Sequence, residues 1–303
     1  MPVDPASPPR ALSGATRLAA VIGDPVRHSL SPIIHNAAFV ARGLDWCYLA
    51  FSVPAGEAAA ALAASRTLGL GGLSVTMPHK DAVAAAVDEC SATAALLGAV
   101  NCVVPSARGW RGENTDGAGF LRSLHDDSGV DPAGLRCLVL GAGGAARAVI
   151  AALHGAGAGE IVVVNRSPDA ARAALALAGN RGRLGTAADV GAVDLVVNAT
   201  PMGMAGPHVS TLPCDPDLLH PGQVVVDLVY EPAATDLLRA ARARGVTAHN
   251  GLSMLVHQAA VAFELWTGFD APVETMRTAA TAALDARRSP PIEVPAPESA
   301  KDR

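Results

Sequence analysis

Lysine is nearly missing from this chain: of 23 Lys and Arg side chains, only Lys80 and Lys301 are lysines. Lys301 stands in a Pro-rich C-terminal run, so Lys80 is the only lysine of the expected folded body. Arginine supplies positive charge everywhere else. Arginine holds its proton in proteins, whereas a lysine can be tuned to release one. Other absences narrow the function further. No apolar run approaches the ~20 residues that cross a membrane. A net charge of −5 offers no basic footprint for nucleic acid. Five cysteines are scattered without C-x-x-C spacing, which argues against a disulfide frame or a zinc site and for reduced thiols in a cytoplasm. Nine histidines form no H-E-x-x-H pattern, so no metal is expected. Residues 1–16 lack the apolar core of a secretory signal and read as a tail, as does the chain from 289 onward. With half the residues apolar and 17% charged, the 303 residues can bury a sizeable core and suggest two domains.

What the chain does hold turns on one stretch at its middle. Leu135 to Leu140 is an apolar run of strand length that ends at Gly141, where an Ala-rich run of helix formers begins. Gly141, Gly143 and Ala146 fit G-x-G-x-x-G/A, the strand–turn–helix fingerprint of a dinucleotide site. Gly141 allows the tight turn, Gly143 lets a pyrophosphate approach the backbone, and Ala146 lets helix and strand pack closely. Ala142, Gly144 and Ala145 complete the turn, so phosphates would rest on unpaired N–H groups at the helix start. Glu160 to Ser167 is the next strand and its end. An NAD-specific site places Asp or Glu there, but this chain has Asn165-Arg166-Ser167. The Arg166 guanidinium suits a ribose 2′-phosphate, and Asp169, after Pro168 at a helix start, is expected to face solvent.

The N-terminal part alternates strand and helix. Strands are predicted over 18–23, 45–53 and from 73 towards 80, with helices over 33–42 and 54–68. This pattern implies an α/β fold with a mostly parallel sheet, whose ligands gather beyond the carboxyl ends of the strands. Ser29, Ser31, Thr76 and Lys80 all fall at strand-to-helix junctions on that edge. Ser31-Pro32 reads as the N-cap and first residue of its helix, and Pro78 as part of the first turn of the helix carrying Lys80. Alternatively Ser29 and Ser31 converge on an anion such as a carboxylate. His79 reads as a capping or solvent residue. A strand over 99–104 and a return over 110–113 precede a helix over 118–126. Asn101 among apolar neighbours needs a partner, either backbone or a ligand hydroxyl. Asp116 reads as an N-cap or as a functional carboxylate. Farther on, strands are predicted over 194–198 and 223–227 and helices over 233–244 and 251–263, with an irregular loop over 202–221. Gln258, one of two glutamines, sits on an otherwise apolar helix face and needs partners.

Taken together, Ser29-Leu30-Ser31-Pro32, Ser74-Val75-Thr76-Met77-Pro78-His79-Lys80, Ala99-Val100-Asn101 and Asn114-Thr115-Asp116-Gly117 resemble the successive substrate motifs of the shikimate dehydrogenase family. The glycine turn follows where that family has it. The resemblance continues through Asn198-Ala199-Thr200-Pro201-Met202-Gly203-Met204 and Gly251-Leu252-Ser253-Met254-Leu255-Val256-His257-Gln258, and covers roughly 17–287. It implies a two-domain α/β fold: a substrate domain of 17–115 plus 252–288 and a Rossmann-like cofactor domain of 116–251, with the active site in the cleft between them. The implied reaction is NADPH-linked reduction of 3-dehydroshikimate to shikimate, with no nucleic acid or membrane partner, in a monomer or homodimer. By the same resemblance Ser29 and Ser31 hold the substrate carboxylate. Thr76, Lys80, Asn101, Asp116 and Gln258 surround the ring hydroxyls, and Lys80 and Asp116 flank the reacting oxygen. Tyr230 would reach the substrate, and Leu228, Gly251 and Met254 the nicotinamide, although packing accounts equally well for Tyr230 and Met254.

One position departs from the family pattern: Ser74 stands where the family usually has Asn. Serine is shorter, so a direct ligand contact there would become water-mediated or vanish, and Ser74 is left outside the expected site. Three rival functions remain at this stage. A quinate/shikimate enzyme of the same family would favour NAD and often carries Thr in place of a serine like Ser31. An aminoshikimate-type paralogue would keep every motif. A non-catalytic NADP-binding sensor would have no reason to keep Lys80 with Asp116.

Overall fold

The computed structural model describes residues 12–204 and 212–288. The expected tails over 1–11 and 289–303, and residues 205–211 of the expected loop, lie outside the described residues. Residues 13–16, expected as tail, form a turn tied to the fold, with Thr16 Oγ1 donating to Asp45 Oδ1 at 3.0 Å.

Two six-stranded sheets organise the chain. The first contains β1 (Arg17–Gly23), β2 (Trp46–Ser52), β3 (Gly72–Val75), β4 (Glu89–Cys90), β5 (Cys102–Ser106) and β6 (Gly109–Glu113), ordered β2-β1-β3-β5-β6-β4. Its helices are α1 (Ser31–Ala41), α2 (Ala58–Thr67), α3 (Lys80–Ala86) and α4 (Ala92–Leu97). β1 runs parallel to β2 and β3, as the alternation predicts, but β5 is antiparallel to both β3 and β6. The sheet is therefore mixed. The link from β5 to β6 is far too short for a crossover and can only fold back as a hairpin. Successive β1 residues face opposite ways. Val21 enters a core with Ile34, Phe39 and Tyr48, and Ile22 enters another with Leu62, Val75 and Val83.

The second sheet contains β7 (Arg136–Leu140), β8 (Glu160–Val164), β9 (Gly182–Leu184), β10 (Leu195–Asn198), β11 (Val224–Asp227) and β12 (Thr247–Asn250). Its order is β12-β11-β10-β7-β8-β9, and every pair is parallel. It is a Rossmann-like sheet, with α6 (Gly144–Gly155), α7 (Pro168–Leu175) and α8 (Asp236–Ala243) as its helices. The strand order reverses between β7 and β10, and a ligand crevice opens at such a switch point.

Three further helices tie the sheets together. α5 (Asp116–Ser128) leads from the first sheet to the second, and α9 (Leu252–Thr267) and α10 (Val273–Arg288) return. Val256, Phe263, Trp266 and Met276 from the returning helices enter the core around Val21 and Tyr48. Gly119 in α5 lies directly on the backbone of Gln258 in α9; a Cβ there would come within 2.6 Å of the Gln258 nitrogen. That close approach fixes Asp116, at the head of α5, relative to Gln258.

Several boundaries differ from expectation for local reasons. α1 starts at Ser31, with Leu30 as its N-cap; leucine has no side-chain acceptor, so no side-chain cap bond forms, and the Ser31 N–H donates to Ser29 Oγ at 3.2 Å. Pro78 lies ahead of α3 rather than in its first turn, since His79 is the N-cap. α2 and α8 begin later than expected, at Ala58 and Asp236.

Candidate active site

A cleft of about 480 Å³ takes walls from both sheets. From the first come Ser29, Ser31, Thr76 and Lys80, each after a strand's carboxyl end, as the junction argument predicts, and Asn101. Ala145 at the start of α6 and Leu228 and Tyr230 after β11 approach from the second. Asp116, Gly251, Met254 and Gln258 close it from the α5 and α9 side.

Lys80 and Asp116 are the chemical centre of this cleft. Lys80 is the first residue of α3, and its Nζ meets Asp116 Oδ2 at 2.6 Å. Asn101 Nδ2 donates to Asp116 Oδ1 at 2.7 Å and to Thr115 Oγ1 at 3.0 Å, while its Oδ1 accepts from the Thr115 N–H at 2.8 Å. Asp116 therefore is no helix cap: Thr115 is the N-cap of α5, and both Asp116 oxygens are occupied elsewhere. Asn101 satisfies its amide wholly inside the protein. Such a pinned carboxylate fixes the direction of the ammonium and leaves its remaining hydrogens for a cleft ligand.

The other expected residues sort themselves by contact. Ser31 has no capping role in the structure, so its hydroxyl, nearly buried at the cleft wall, is available to an anion. Gln258 Nε2 donates to Leu255 O at 2.8 Å, and its Oε1 lies 3.5 Å from Thr115 Oγ1. Met254 packs in the second sheet's core and also lines the cleft. Burial raises the Tyr230 phenol above its ordinary pKa, Glu231 adds to the rise, and Arg287 opposes it. His79 meets one half of its expectation: it is the N-cap residue of α3, but its side chain makes no cap bond and is buried, with Nε2 2.7 Å from Val53 O rather than in solvent. Ser74, set aside because it departs from the family pattern, does line the cleft, as do His28, Met204 and Leu255. Met204 and Leu255 fall inside the family-like motifs, but their residue types alone do not mark them, since Met and Leu are ordinary core residues.

The dinucleotide turn tests well against its expected ligand. Gly141 adopts φ +113°, and a Cβ there would stand 2.9 Å from Ala199 O, so only glycine fits. Gly143 is the N-cap of α6, and a Cβ on it or on Gly144 would meet nothing within 4 Å. No side chain caps this helix, which leaves first-turn N–H groups beside open space, as phosphate binding requires. Ala142 packs against the sheet core, and Ala146 is fully buried. At the end of β8, Asn165 Nδ2 donates to Ser167 O at 3.1 Å, and Ser167 Oγ caps α7. Arg172 pairs with the exposed Asp169 at 2.8 Å. Arg166 is exposed, and no ion pair to it occurs among the described residues. Its guanidinium is free for an anion.

An all-parallel Rossmann-like sheet with a glycine turn, facing a second α/β unit across a cleft with a lysine–aspartate pair, defines a two-unit dinucleotide-dependent dehydrogenase architecture. Comparisons with known proteins narrow the class. The family described as shikimate dehydrogenase substrate binding domain matches residues 21–103, and the shikimate 5'-dehydrogenase C-terminal domain matches 251–281. Residues 136–231 match a family described as NADP oxidoreductase, coenzyme F420-dependent. Shikimate dehydrogenase (NADP(+)) of Moorella thermoacetica is 48% identical over 92% of this chain and 98% of its own length. The shikimate 5-dehydrogenase of Thermus thermophilus, solved with NADP(H) and shikimate, is 39% identical with a TM-score of 0.82, over 88% of this chain and 99% of that one. A quinate dehydrogenase from Corynebacterium glutamicum, solved with NAD, is 35% identical with a TM-score of 0.81, over 88% and 99%. The chain belongs to the shikimate dehydrogenase family.

Proposed function

We propose that this protein catalyses the reversible NADPH-dependent reduction of 3-dehydroshikimate to shikimate, in chorismate and aromatic amino acid biosynthesis. The observation that carries this reading is the Lys80–Asp116–Asn101 arrangement, set in the cleft between the glycine turn and the two serines. NADPH, when bound, supplies the hydride. The chain's task is to orient the substrate carbon and manage one proton. Lys80 Nζ, held by Asp116, delivers that proton to the carbonyl oxygen during reduction and takes it back during oxidation. Ser29 and Ser31 receive the carboxylate, whose charge suits the start of α1. Thr76 and Gln258 address the ring hydroxyls, with Tyr230 closing over the substrate. Asn101 acts mainly by holding Asp116.

Gly141, Ala142, Gly143, Gly144 and Ala145 would cradle the pyrophosphate. Asn165, Arg166 and Ser167 would take the adenosine ribose and its 2′-phosphate, and Leu228, Gly251 and Met254 the nicotinamide. We assign residues 17–115 and 252–288 to the substrate domain because the returning helices feed the first sheet's core, and 116–251 to the cofactor domain. Five free thiols suit a cytoplasmic site of action. No helix among the described residues is long and apolar enough to cross a membrane. The assay that tests the reading is a matrix of shikimate or quinate against NADP+ or NAD+. Turnover concentrated in the shikimate–NADP+ cell is expected. A preference for quinate with NAD+ would overturn it.

A further inference from the structure

Behind the two cleft serines lies a hydroxyl without a partner. Tyr48 in β2 is wholly buried, and its phenolic oxygen makes no hydrogen bond among the described residues. Buried donors are normally matched, so an unmatched one asks for a reason. In register, Tyr48 lies opposite Ala19 of β1, which lies opposite Gly72 of β3, so two small residues flank the ring on its face of the sheet. The next residues of β1 and β3 on that face are Val21 and Ser74. His35 of α1 stacks on the ring, with centroids 4.4 Å apart, and Trp266 stands at 5.9 Å, so the ring cannot swing aside. Its hydroxyl is left among those of Ser31 and Ser74. Burial drives the phenol's pKa far upward while these two hydroxyls pull against it. Both serines line the cleft.

We infer that Tyr48 is a positioning residue for the carboxylate end of the substrate, donating its one hydrogen from behind to the hydroxyl of Ser31 or Ser74 so that this serine's own hydrogen points into the cleft. The inference rests on the reading of this cleft as a shikimate site. A serine hydroxyl is one donor and a ready acceptor. When its oxygen accepts from Tyr48, its hydrogen is directed to the remaining acceptor, the carboxylate, and successive bonds in such a chain strengthen one another. Ser74, which lines the cleft, is one of the two serines that such a bond would align.

Tyr48→Phe keeps the ring and its stacking and deletes only the hydroxyl. In the full chain it should raise KM for shikimate about five- to tenfold, the scale of one hydrogen bond. KM for NADP+ should stay at the wild-type value, and Tm should not fall, because an unmatched buried group has been removed. In a background of Ser31→Ala with Ser74→Ala, the same change should shift KM by less than about twofold, since its effect passes through those hydroxyls. An unchanged KM, an equal rise in both backgrounds, or a rise accompanied by a lower Tm overturns the inference. Wild-type turnover of shikimate separates the two failures. Without it the reading of the site falls; with it, an indifferent Tyr48→Phe sinks the positioning role alone.

Discussion

Asn101 holds Asp116 from behind: its amide donates to Oδ1 at 2.7 Å, leaving Oδ2 to Lys80 at 2.6 Å. The carboxylate thereby has one orientation, and so does the ammonium. Breaking this hold should show in the chemical step. Asn101→Ala removes a hydrogen bond to a charged group, worth about 1.5–3 kcal/mol, which is roughly one to two decades of rate if fully expressed there. We expect kcat to fall by at least about tenfold on that scale with KM for NADP+ unchanged. A wild-type kcat would mean that Asp116 needs no such support.

Arg166, just past β8, has no ion pair among the described residues, whereas Arg172 is held by Asp169. Replacing Asn165-Arg166 by Asp-Ala should raise KM for NADP+ by about one to two decades, the scale of a lost charge-assisted bond, and bring NAD+ closer. Steady-state kinetics with both cofactors decide this. An undiminished preference for NADP+ would place the 2′-phosphate elsewhere.

Ser31 separates binding from stability. A lost helix cap costs about 1 kcal/mol, but Ser31 caps nothing here. Ser31→Ala should therefore raise KM for shikimate about tenfold, as for one lost bond to a charged group, while Tm stays near wild type. A lower Tm with an unchanged KM would return Ser31 to a purely structural role.

His35 predicts an acid limit to stability. Complete burial lowers its pKa from 6.5 to about 3. Between those values the unfolded chain binds a proton that the folded chain refuses, so stability drops as pH falls through that window. From pH 7 to pH 5 this one group should remove about 2 kcal/mol. His35→Phe, which can keep the contact with Tyr48, should flatten the slope of Tm against pH between those limits. Identical slopes for the two proteins would contradict the assignment.

How much of this was legible in the sequence depended on how local each cause is. The glycine turn is local: Gly141, Gly143 and Ala146 are chosen by backbone geometry within one strand–turn–helix, and they stand where the sequence put them. Lys80 was legible for a different reason, since arginine replaces lysine almost everywhere else. Ser31 misled because Ser-Pro ahead of a helix reads as a cap, whereas Ser31 is itself the first helical residue and its N–H donates back to the Ser29 hydroxyl. His79 and Tyr48 were opaque because their neighbours come from segments distant in sequence: Val53 O, just past β2, for one, and the Ala19–Gly72 register for the other. β9 and β12 escaped notice because they are short and only partly buried, so they carry no apolar run. The return from β5 to β6 was legible from its short link, whereas the antiparallel pairing of β5 with β3 was not, because it joins strands distant in sequence.

The claim on which the account rests is that Lys80 moves the proton at the reacting oxygen, and Lys80→Arg tests it most directly. Arginine keeps the positive charge and much of the reach but does not release its proton. The measurement is kcat for shikimate oxidation by NADP+, with NADP+ binding followed separately by fluorescence. We predict that kcat falls by about 10²–10⁴-fold, the usual contribution of a positioned acid or base, while NADP+ binds as in the wild type. Near-normal kcat in Lys80→Arg would contradict the account, reducing Lys80 to a charge that clamps the substrate and sending the proton through Asp116 or water.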